Sequence, residues 1–377
     1  MPKLPIIKII NRKQPKDKKT SFQVFVPEVM ERLKTALKDN EKTIIFINRR
    51  GLALSIICQE CGFTFSCPNC DVPLVYRTEK EKTVLTCHHC DYKESAPTSC
   101  PQCRGYKLKP LGIGTERIKK EIEKNLKIKN DYLNNHLFDL IESEIPDEKE
   151  LEIIKNFNSN KIKILIGTEA IFRPQLSETD LAIIPAIDPM LFLPDYNSEE
   201  KTFFYLLKLK NLAKKELMIQ TLNPENKIFD YLREEREKDF FEEEKKWRKK
   251  YFWPPYSHLI KLTFTHKNLT KGELEALKTK ERILELIRKS IPGEKQSNFI
   301  VLGPAPAFIS KEKGSYRWNI LIKFICSENR PKANFYSPLY LNLLSPLLTK
   351  DELTLRNKIL QAVPLNWKID IEPKDTL

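Results

Sequence analysis

Cys58-Gln-Glu-Cys61, Cys67-Pro-Asn-Cys70, Cys87-His-His-Cys90 and Cys100-Pro-Gln-Cys103 follow one another within residues 58–103 and hold eight of the nine cysteines of the chain. Two residues between thiols let both sulfurs turn toward one ion at about 2.3 Å, and two such pairs complete a tetrahedral thiolate shell. Four pairs therefore predict two zinc ions. Gly62, Pro68, Asn69 and Pro101 suit the tight turns that such knuckles need. A disulfide framework would need an oxidising compartment, and nothing in the sequence directs export. A redox Cys-x-x-Cys pair usually occurs once, near a strand–helix junction, and iron–sulfur clusters more often use other spacings. Four thiolates close the shell that a catalytic zinc leaves open, so both ions are expected to be structural. His88 and His89 could substitute as ligands, but eight cysteines already satisfy two ions. Spacing leaves the pairing of the knuckles open. The ninth thiol, Cys326, ends an apolar run from Asn319 and is expected in a core.

Working outward, Lys42-Thr-Ile-Ile-Phe-Ile-Asn48 reads as a buried parallel strand ending in the polar loop Arg49-Arg50-Gly51. Glu28–Leu37 before it places Val29, Leu33 and Leu37 on one helical face. Beyond the cysteines, Gly112-Ile-Gly114 leads into a helix over 115–126, with Ile118 and Ile122 inward. Strands are predicted at 137–140, 162–166, 181–186 and 216–221, with helices at 147–157 and 198–213. The alternation implies a doubly wound α/β layer with the cysteine window inserted in one connection. Residues 225–252 then read as one long charged helix with i,i+4 pairs such as Glu242/Lys246 and Glu244/Arg248, its charge taken as a solvated face. Trp253-Pro-Pro255 stops it. Strands at 259–264, 299–302, 317–325 and 367–372, with helices at 271–290 and 350–362, predict an α+β domain to the end.

The 65 Lys and Arg against 51 Asp and Glu leave a net charge of +14. Such a surplus favours polyanions, because basic side chains displace counterions condensed on phosphate backbones. No segment approaches the ~20 apolar residues that span a bilayer. No membrane association and a cytoplasmic location are expected.

Further blocks give a family resemblance. Phe46-Ile-Asn-Arg-Arg-Gly51 runs into the cysteine module, and Gly112-Ile-Gly-Thr-Glu-Arg117 follows it. Ile164-Leu-Ile-Gly-Thr-Glu169, Leu193-Pro-Asp-Tyr196, Trp253-Pro-Pro-Tyr-Ser-His258, Val301-Leu-Gly-Pro-Ala-Pro306, Tyr316-Arg-Trp318 and Trp367-Lys-Ile-Asp-Ile-Glu-Pro373 come next in order. This series resembles the bacterial replication-restart helicase family PriA, also called primosomal protein N-prime, over nearly the whole chain. The resemblance implies a RecA-like second helicase lobe at residues 1–57 and 104–224, an inserted two-zinc module at 58–103, and an α+β C-terminal domain at 225–377 that includes the charged helix. It also implies nested ligation, with Cys58, Cys61, Cys100 and Cys103 on one zinc and Cys67, Cys70, Cys87 and Cys90 on the other.

Members of the family are about twice as long and carry an ATP-binding first lobe ahead of this region. No Gly-x-x-x-x-Gly-Lys-Ser/Thr loop occurs in the chain. Asp147-Glu148 is the nearest acidic pair to a Walker B motif, and it reads as a helix start. Where the family has Ala-Lys-Gly after its Gly-Thr strand end, this chain has Phe172-Arg173-Pro174. Where the family has Gly-Arg-Ala-Gly-Arg facing ATP, it has Asn211-Leu212-Ala213-Lys214-Lys215. A leucine cannot stabilise a transferring phosphoryl group, and a lysine is a point charge where a planar fork is needed. No ATP binding and no catalytic residue are expected. The reading is a DNA-binding, primosome-assembling protein for forked or single-stranded DNA, docking the single-strand DNA-binding protein and helicase-loading proteins. Candidate DNA contacts are Arg49, Arg50, Lys311, Lys313, Tyr316, Arg317 and Trp318, with Trp318 equally readable as core because strands bury every second residue. Two alternatives are half of a split helicase completed by a separate ATP-binding chain, and a zinc-ribbon RNA-binding protein.

Overall fold

The β-branched run around Ile44 does form a strand buried on both faces, and the rest of the architecture builds around it. The computed structural model describes residues 4–12, 23–48, 55–58, 60–61, 63, 65–69, 74–79, 82–87, 92–111, 115–126, 138–141, 145–193, 195–325, 350–373 and 376. The chain opens with β1 (Ile6–Asn11), α1 (Pro27–Lys38) and β2 (Thr43–Phe46). The cysteine-bearing stretch holds β3 (Ser55–Cys58), β4 (Val75–Glu79), β5 (Lys82–Thr86), β6 (Lys93–Ser95) and β7 (Leu108–Leu111). Next come α2 (Thr115–Leu126), β8 (Phe138–Ile141), α3 (Asp147–Asn158), β9 (Ile164–Gly167) and β10 (Thr179–Ile184). They are followed by α4 (Asp188–Leu191), α5 (Ser198–Leu212), β11 (Ala213–Thr221), α6 (Ile228–Arg233) and α7 (Glu237–Lys250). The last part holds β12 (Ser257–His266), α8 (Leu269–Ser290), β13 (Phe299–Glu312), β14 (Ser315–Ile325), α9 (Lys350–Ala362) and β15 (Trp367–Ile371).

Two compact units result. The first comprises Met1–Leu54, Leu111–Leu193 and Ser198–Glu237. Its six strands lie in the order β1-β11-β10-β2-β9-β8, with every neighbouring pair parallel. All four residues of β2 are buried, as a parallel strand covered on both faces requires. From α1, Val29, Met30, Leu33 and Ala36 enter the core, where Ile118 and Ile122 of α2 join them. Strand β1 has no counterpart in the reading of the sequence. Ile6, Lys8 and Asn11 are exposed, Ile7 and Ile9 partly buried and Ile10 buried, and β1 pairs in parallel with β11 at the sheet edge.

The second unit comprises Ser55–Pro110, Pro194–Asn197 and Lys238–Leu377. Its largest sheet has the order β13-β14-β12-β15 and is antiparallel throughout. Ala276, Ile283 and Ile287 of α8 and Leu355 and Ile359 of α9 pack on Ile260, Leu262, Phe264, Ile320, Ile322 and Phe324. This is an α+β arrangement, but its unit begins at Lys238 and also takes in Ser55–Pro110 and Pro194–Asn197, whereas the sequence reading set the domain at 225–377. The cysteine-bearing stretch forms a two-stranded sheet, β3-β7, and a three-stranded sheet, β4-β5-β6.

The single long helix expected at 225–252 is a pair of helices, α6 and α7. Glu235 adopts φ +56°, and the Arg236 N–H donates to the Tyr231 carbonyl at 2.9 Å, which closes the first helix. Tertiary contacts enforce the break: Ile228, Phe229, Tyr231 and Leu232 are buried, and buried Lys210 of α5 donates to Glu235 Oε1 at 3.0 Å. Within α7, Arg248 pairs with Glu244 at 2.8 Å as expected, whereas Glu242 pairs with Lys245 at 3.4 Å. Among the described residues, no helix is long and apolar enough to cross a membrane.

Candidate metal centre

Strand β3 delivers Cys58 at its end, and a turn returns Cys61 beside it. The turn Pro101–Cys103 does the same for Cys100 and Cys103 ahead of β7. The four sulfurs lie within 4.8 Å of one another. Cys58 Sγ is 3.6 Å from Cys103 Sγ, and Cys61 Sγ is 3.6 Å from Cys100 Sγ. Bond lengths of about 2.3 Å in a tetrahedron place sulfurs roughly 3.8 Å apart, so the cluster has the dimensions of a metal tetrathiolate. The partners are the first and last knuckles of the series, the arrangement the resemblance implies.

The backbone shapes these knuckles in one repeated way. Three of the four first cysteines donate their N–H to the carbonyl five residues on: Cys58 to Phe63 at 2.9 Å, Cys87 to Tyr92 at 2.8 Å and Cys100 to Gly105 at 2.8 Å. Amides also point at the sulfurs, with Asn69 N–H on Cys67 Sγ and Gly105 N–H on Cys103 Sγ, both at 3.4 Å. Such donors favour thiolate over thiol. The sequence reading chose Asn69 for its turn but overlooked Gly105. A Cβ at Gly105 would stand 3.2 Å from Cys103 Sγ and 2.0 Å from Glu60 Oε2, so a larger residue there would press on the cluster sulfur and displace the Glu60 carboxylate. A glycine two residues past a knuckle's second cysteine was the available signal.

Without a cation, crowding four sulfurs sets their protonation against one another. Burial raises Cys100, but N–H donors of Cys103 and Gln102 and the neighbouring thiols outweigh it and bring it to about 7. At Cys103 the Gly105 N–H favours the thiolate, yet Cys61, desolvation and Cys58 push it up to about 12. Four thiolates this close repel one another unless a divalent cation lies between them, and the soft donor set suits zinc.

Of the second expected set, Cys67 and Cys87 are buried with Phe65, Leu74 and Leu85 in a small apolar cluster. Cys70 and Cys90 lie outside the described residues, as do Arg49, Arg50 and Cys326. The remaining candidate DNA contacts sit on the β13–β14 hairpin, which docks on the Cys67 knuckle. Lys311 Nζ donates to the Pro68 carbonyl at 3.0 Å, and the Gly314 N–H donates to the Asn69 carbonyl at 2.5 Å. Lys311 also lies 5.5 Å over the Tyr316 ring, and Arg317 pairs with Glu312 at 2.8 Å. Lys313 occupies the exposed tip with φ +50°. Trp318 is a correction to the DNA-contact reading. It is only 6% exposed, opposite Phe264 within the domain core, so no base can stack on it. Strand alternation decides the matter.

Two resemblance blocks meet in this unit. Tyr196 stacks on Trp253 with centroids 4.8 Å apart at 10°, and Asp195 Oδ1 accepts from the Thr376 N–H at 3.1 Å. In the other unit, Asn211–Lys215 ends α5 and begins β11. Lys215 Nζ lies 2.6 Å from Glu41 Oε1 and 3.4 Å from Asp180 Oδ1, and Lys214 lies 3.4 Å from Glu178. The Glu41 hydrogen bond raises the Lys215 pKa. Arg32 continues the network, bonding Glu216 at 2.6 Å and Glu41 at 2.8 Å.

Residues 249–336 match the family described as Primosomal protein N C-terminal domain. The chain is 30% identical to the replication restart protein PriA of Borreliella burgdorferi over 90% of its own length and 50% of that protein. It is 27% identical to PriA of Bacillus subtilis over 80% of its length and 36% of that protein. PriA of Thermotoga maritima gives 30% identity over 79% and 38%. The chain thus spans half or less of the length of these relatives. Among solved structures, the helicase MrfA bound to DNA and AMPPNP superposes with a TM-score of 0.30 and 11% identity over 60% of this chain and 22% of that one, too slight a likeness to argue from. The long sequence matches and the C-terminal domain place the chain in the PriA family, as a counterpart of the carboxyl-terminal half of its longer members.

Proposed function

We propose that this is a PriA-type DNA-binding and primosome-assembly protein of replication restart. Its parallel-sheet unit is a RecA-like second helicase lobe, its cysteine stretch carries two structural zinc ions, and it hydrolyses no ATP of its own. It binds forked or single-stranded DNA and docks the single-strand DNA-binding protein and helicase-loading proteins. The observation that carries this reading is that similarity to PriA proteins runs through both compact units and not only the C-terminal domain. The charge of +14 supports a polyanionic partner. Commitment of Lys215 to Glu41 and Asp180 supports the absence of turnover, since that lysine stands where the family places an ATP-facing arginine.

The test is titration of the zinc-loaded chain with forked DNA, duplex DNA and structured RNA, with ATP turnover followed in the same tube. Fork binding that weakens steeply with salt, without turnover, is expected. DNA-stimulated turnover would overturn the loss of ATPase activity. Preference for RNA, or no binding to any DNA, would overturn the DNA-binding assignment.

A further inference from the structure

Helix α7 segregates its charge. Glu242-Glu-Glu244 is followed by Lys245-Lys-Trp-Arg-Lys-Lys250, in which only Trp247 is not a cation and no residue is acidic. Two of the cations are held within the fold. Lys245 pairs with Glu242, and buried Arg248 bonds Glu244 Oε1 at 2.8 Å and the Pro254 carbonyl at 2.9 Å while lying 5.2 Å over the Tyr196 ring. Lys246, Lys249 and Lys250 face solvent. Among them stand three large aromatics in the open: Trp247 is 41% exposed, Tyr251 46% and Phe252 38%. Trp247 and Tyr251 are four residues apart, on one helix face, with centroids 5.3 Å apart, and Lys250 Nζ is 5.3 Å from the Tyr251 ring.

Phe252 adds an independent observation. It has φ +53° immediately past the helix, and the Trp253 N–H donates to the Arg248 carbonyl at 2.9 Å to close the turn. This left-handed capping position favours glycine, because any Cβ is crowded there. The phenylalanine holds this position with 38% of its surface open to solvent, which leaves part of a flat apolar ring available to a ligand.

We propose that Lys246, Trp247, Lys249, Lys250, Tyr251 and Phe252 form a binding surface for single-stranded DNA. The bases stack on the three rings, and the lysines neutralise the phosphates between them. A duplex offers no free base faces, so rings of this kind select unpaired strands. The inference rests on the DNA-binding reading above and assigns it a surface separate from the hairpin of Lys311–Arg317.

The experiment is fluorescence anisotropy of the zinc-loaded full chain with labelled oligothymidylate, oligouridylate and a duplex of equal length. It is repeated for Trp247→Ala/Tyr251→Ala, for Lys246→Glu/Lys249→Glu/Lys250→Glu and for Phe252→Gly. Crosslinking to an iododeoxyuridine-substituted strand maps the contact. Losing one stacked ring weakens binding by roughly 5- to 150-fold, so the double aromatic variant is expected to lose at least about tenfold on oligothymidylate. Its duplex binding should not change. Phe252→Gly is expected to weaken strand binding while its melting temperature holds or rises, and crosslinks should fall within 246–252. If the wild type binds DNA but these variants bind the strand equally well, or crosslinks map elsewhere, this surface is wrong and the DNA-binding reading survives. If the wild type binds no DNA, both fail. Tighter oligouridylate than oligothymidylate binding overturns the assignment to DNA. An effect of the aromatic changes without any effect of the lysine reversals marks a protein-docking face and overturns the proposal.

Discussion

The second unit holds two regions built on opposite principles. In the C-terminal domain, α8 and α9 cover one sheet with a core that includes Phe264, Trp318, Ile320, Ile322, Phe324 and Trp367, none more than 7% exposed. Among the described residues, the cysteine stretch has a buried cluster of five, two of which are Cys67 and Cys87. Apolar burial at about 25 cal/mol per Å² can stabilise the first without help. For the second, the zinc sites proposed above would supply metal–thiolate bonds, with an apparent free energy of roughly 10–16 kcal/mol per site, in place of a large core. What the contrast teaches is that thiol spacing can replace apolar periodicity as the code for a fold.

The largest test separates the two regions by their source of stability. Removing metal with a chelator, or Cys58→Ser with Cys100→Ser, should unfold the knuckles while the C-terminal sheet persists. Limited proteolysis should then cut within 58–107 and leave 257–325 and 350–371 protected. Persistent protection of the knuckles, with metal loss verified by elemental analysis, would break the comparison. The reciprocal change is Trp318→Ala, expected to destabilise the C-terminal domain by about 3–5 kcal/mol with zinc content unaltered. Loss of zinc in that variant would mean that the module leans on the domain core.

Acid and base should act on the regions differently. Protons compete with metal for thiolates, so zinc retention should fall as pH falls. Buried Lys323 of the C-terminal domain is lowered by desolvation from 10.5 to about 8, with its charge partly supported by the Trp253 ring 3.2 Å away and the Tyr251 carbonyl at 2.9 Å. Between pH 8 and 10.5 the unfolded chain binds more protons at this residue than the folded one, so its contribution to stability rises with pH across that window. Chemical denaturation of wild type and Lys323→Met at pH 8 and pH 10 reads the difference, and an equal slope in both would refute it.

The smallest effects belong to the seam between the regions. Gly314 has φ +77° at the hairpin tip, with open space where a Cβ would be, so Gly314→Ala should cost only the backbone term of roughly 1–2 kcal/mol. Lys311→Ala removes one bond to the Pro68 carbonyl, about 0.5–1.5 kcal/mol. Hydrogen exchange of the hairpin amides should rise in both variants and also on zinc removal. Unchanged exchange on zinc removal would show that knuckle and hairpin do not communicate.

Much of this was legible beforehand. The helices at 115–126 and 350–362 lie where apolar periodicity put them, and the four-cysteine cluster pairs knuckles as the family resemblance implies. The misses share a cause, since β1, the break at Glu235 and the stack of Tyr196 on Trp253 all depend on a distant partner. Residues 6–11 carry no pattern that distinguishes an edge strand from a basic tail until β11 lies alongside. The charge run of α7 read as a solvated face, because the sequence does not say which of its cations are spent on Glu242, Glu244 and Pro254.

By itself, then, the sequence determined most of the helices and sheet strands and the thiol spacing, because helix period, strand burial and Cys-x-x-Cys reach act over a few residues. Tertiary structure decided which knuckles share a cluster, which hairpin docks on Pro68 and Asn69, and which aromatics stay in the open. Those outcomes depend on contacts between residues far apart in the chain, and no local preference encodes them.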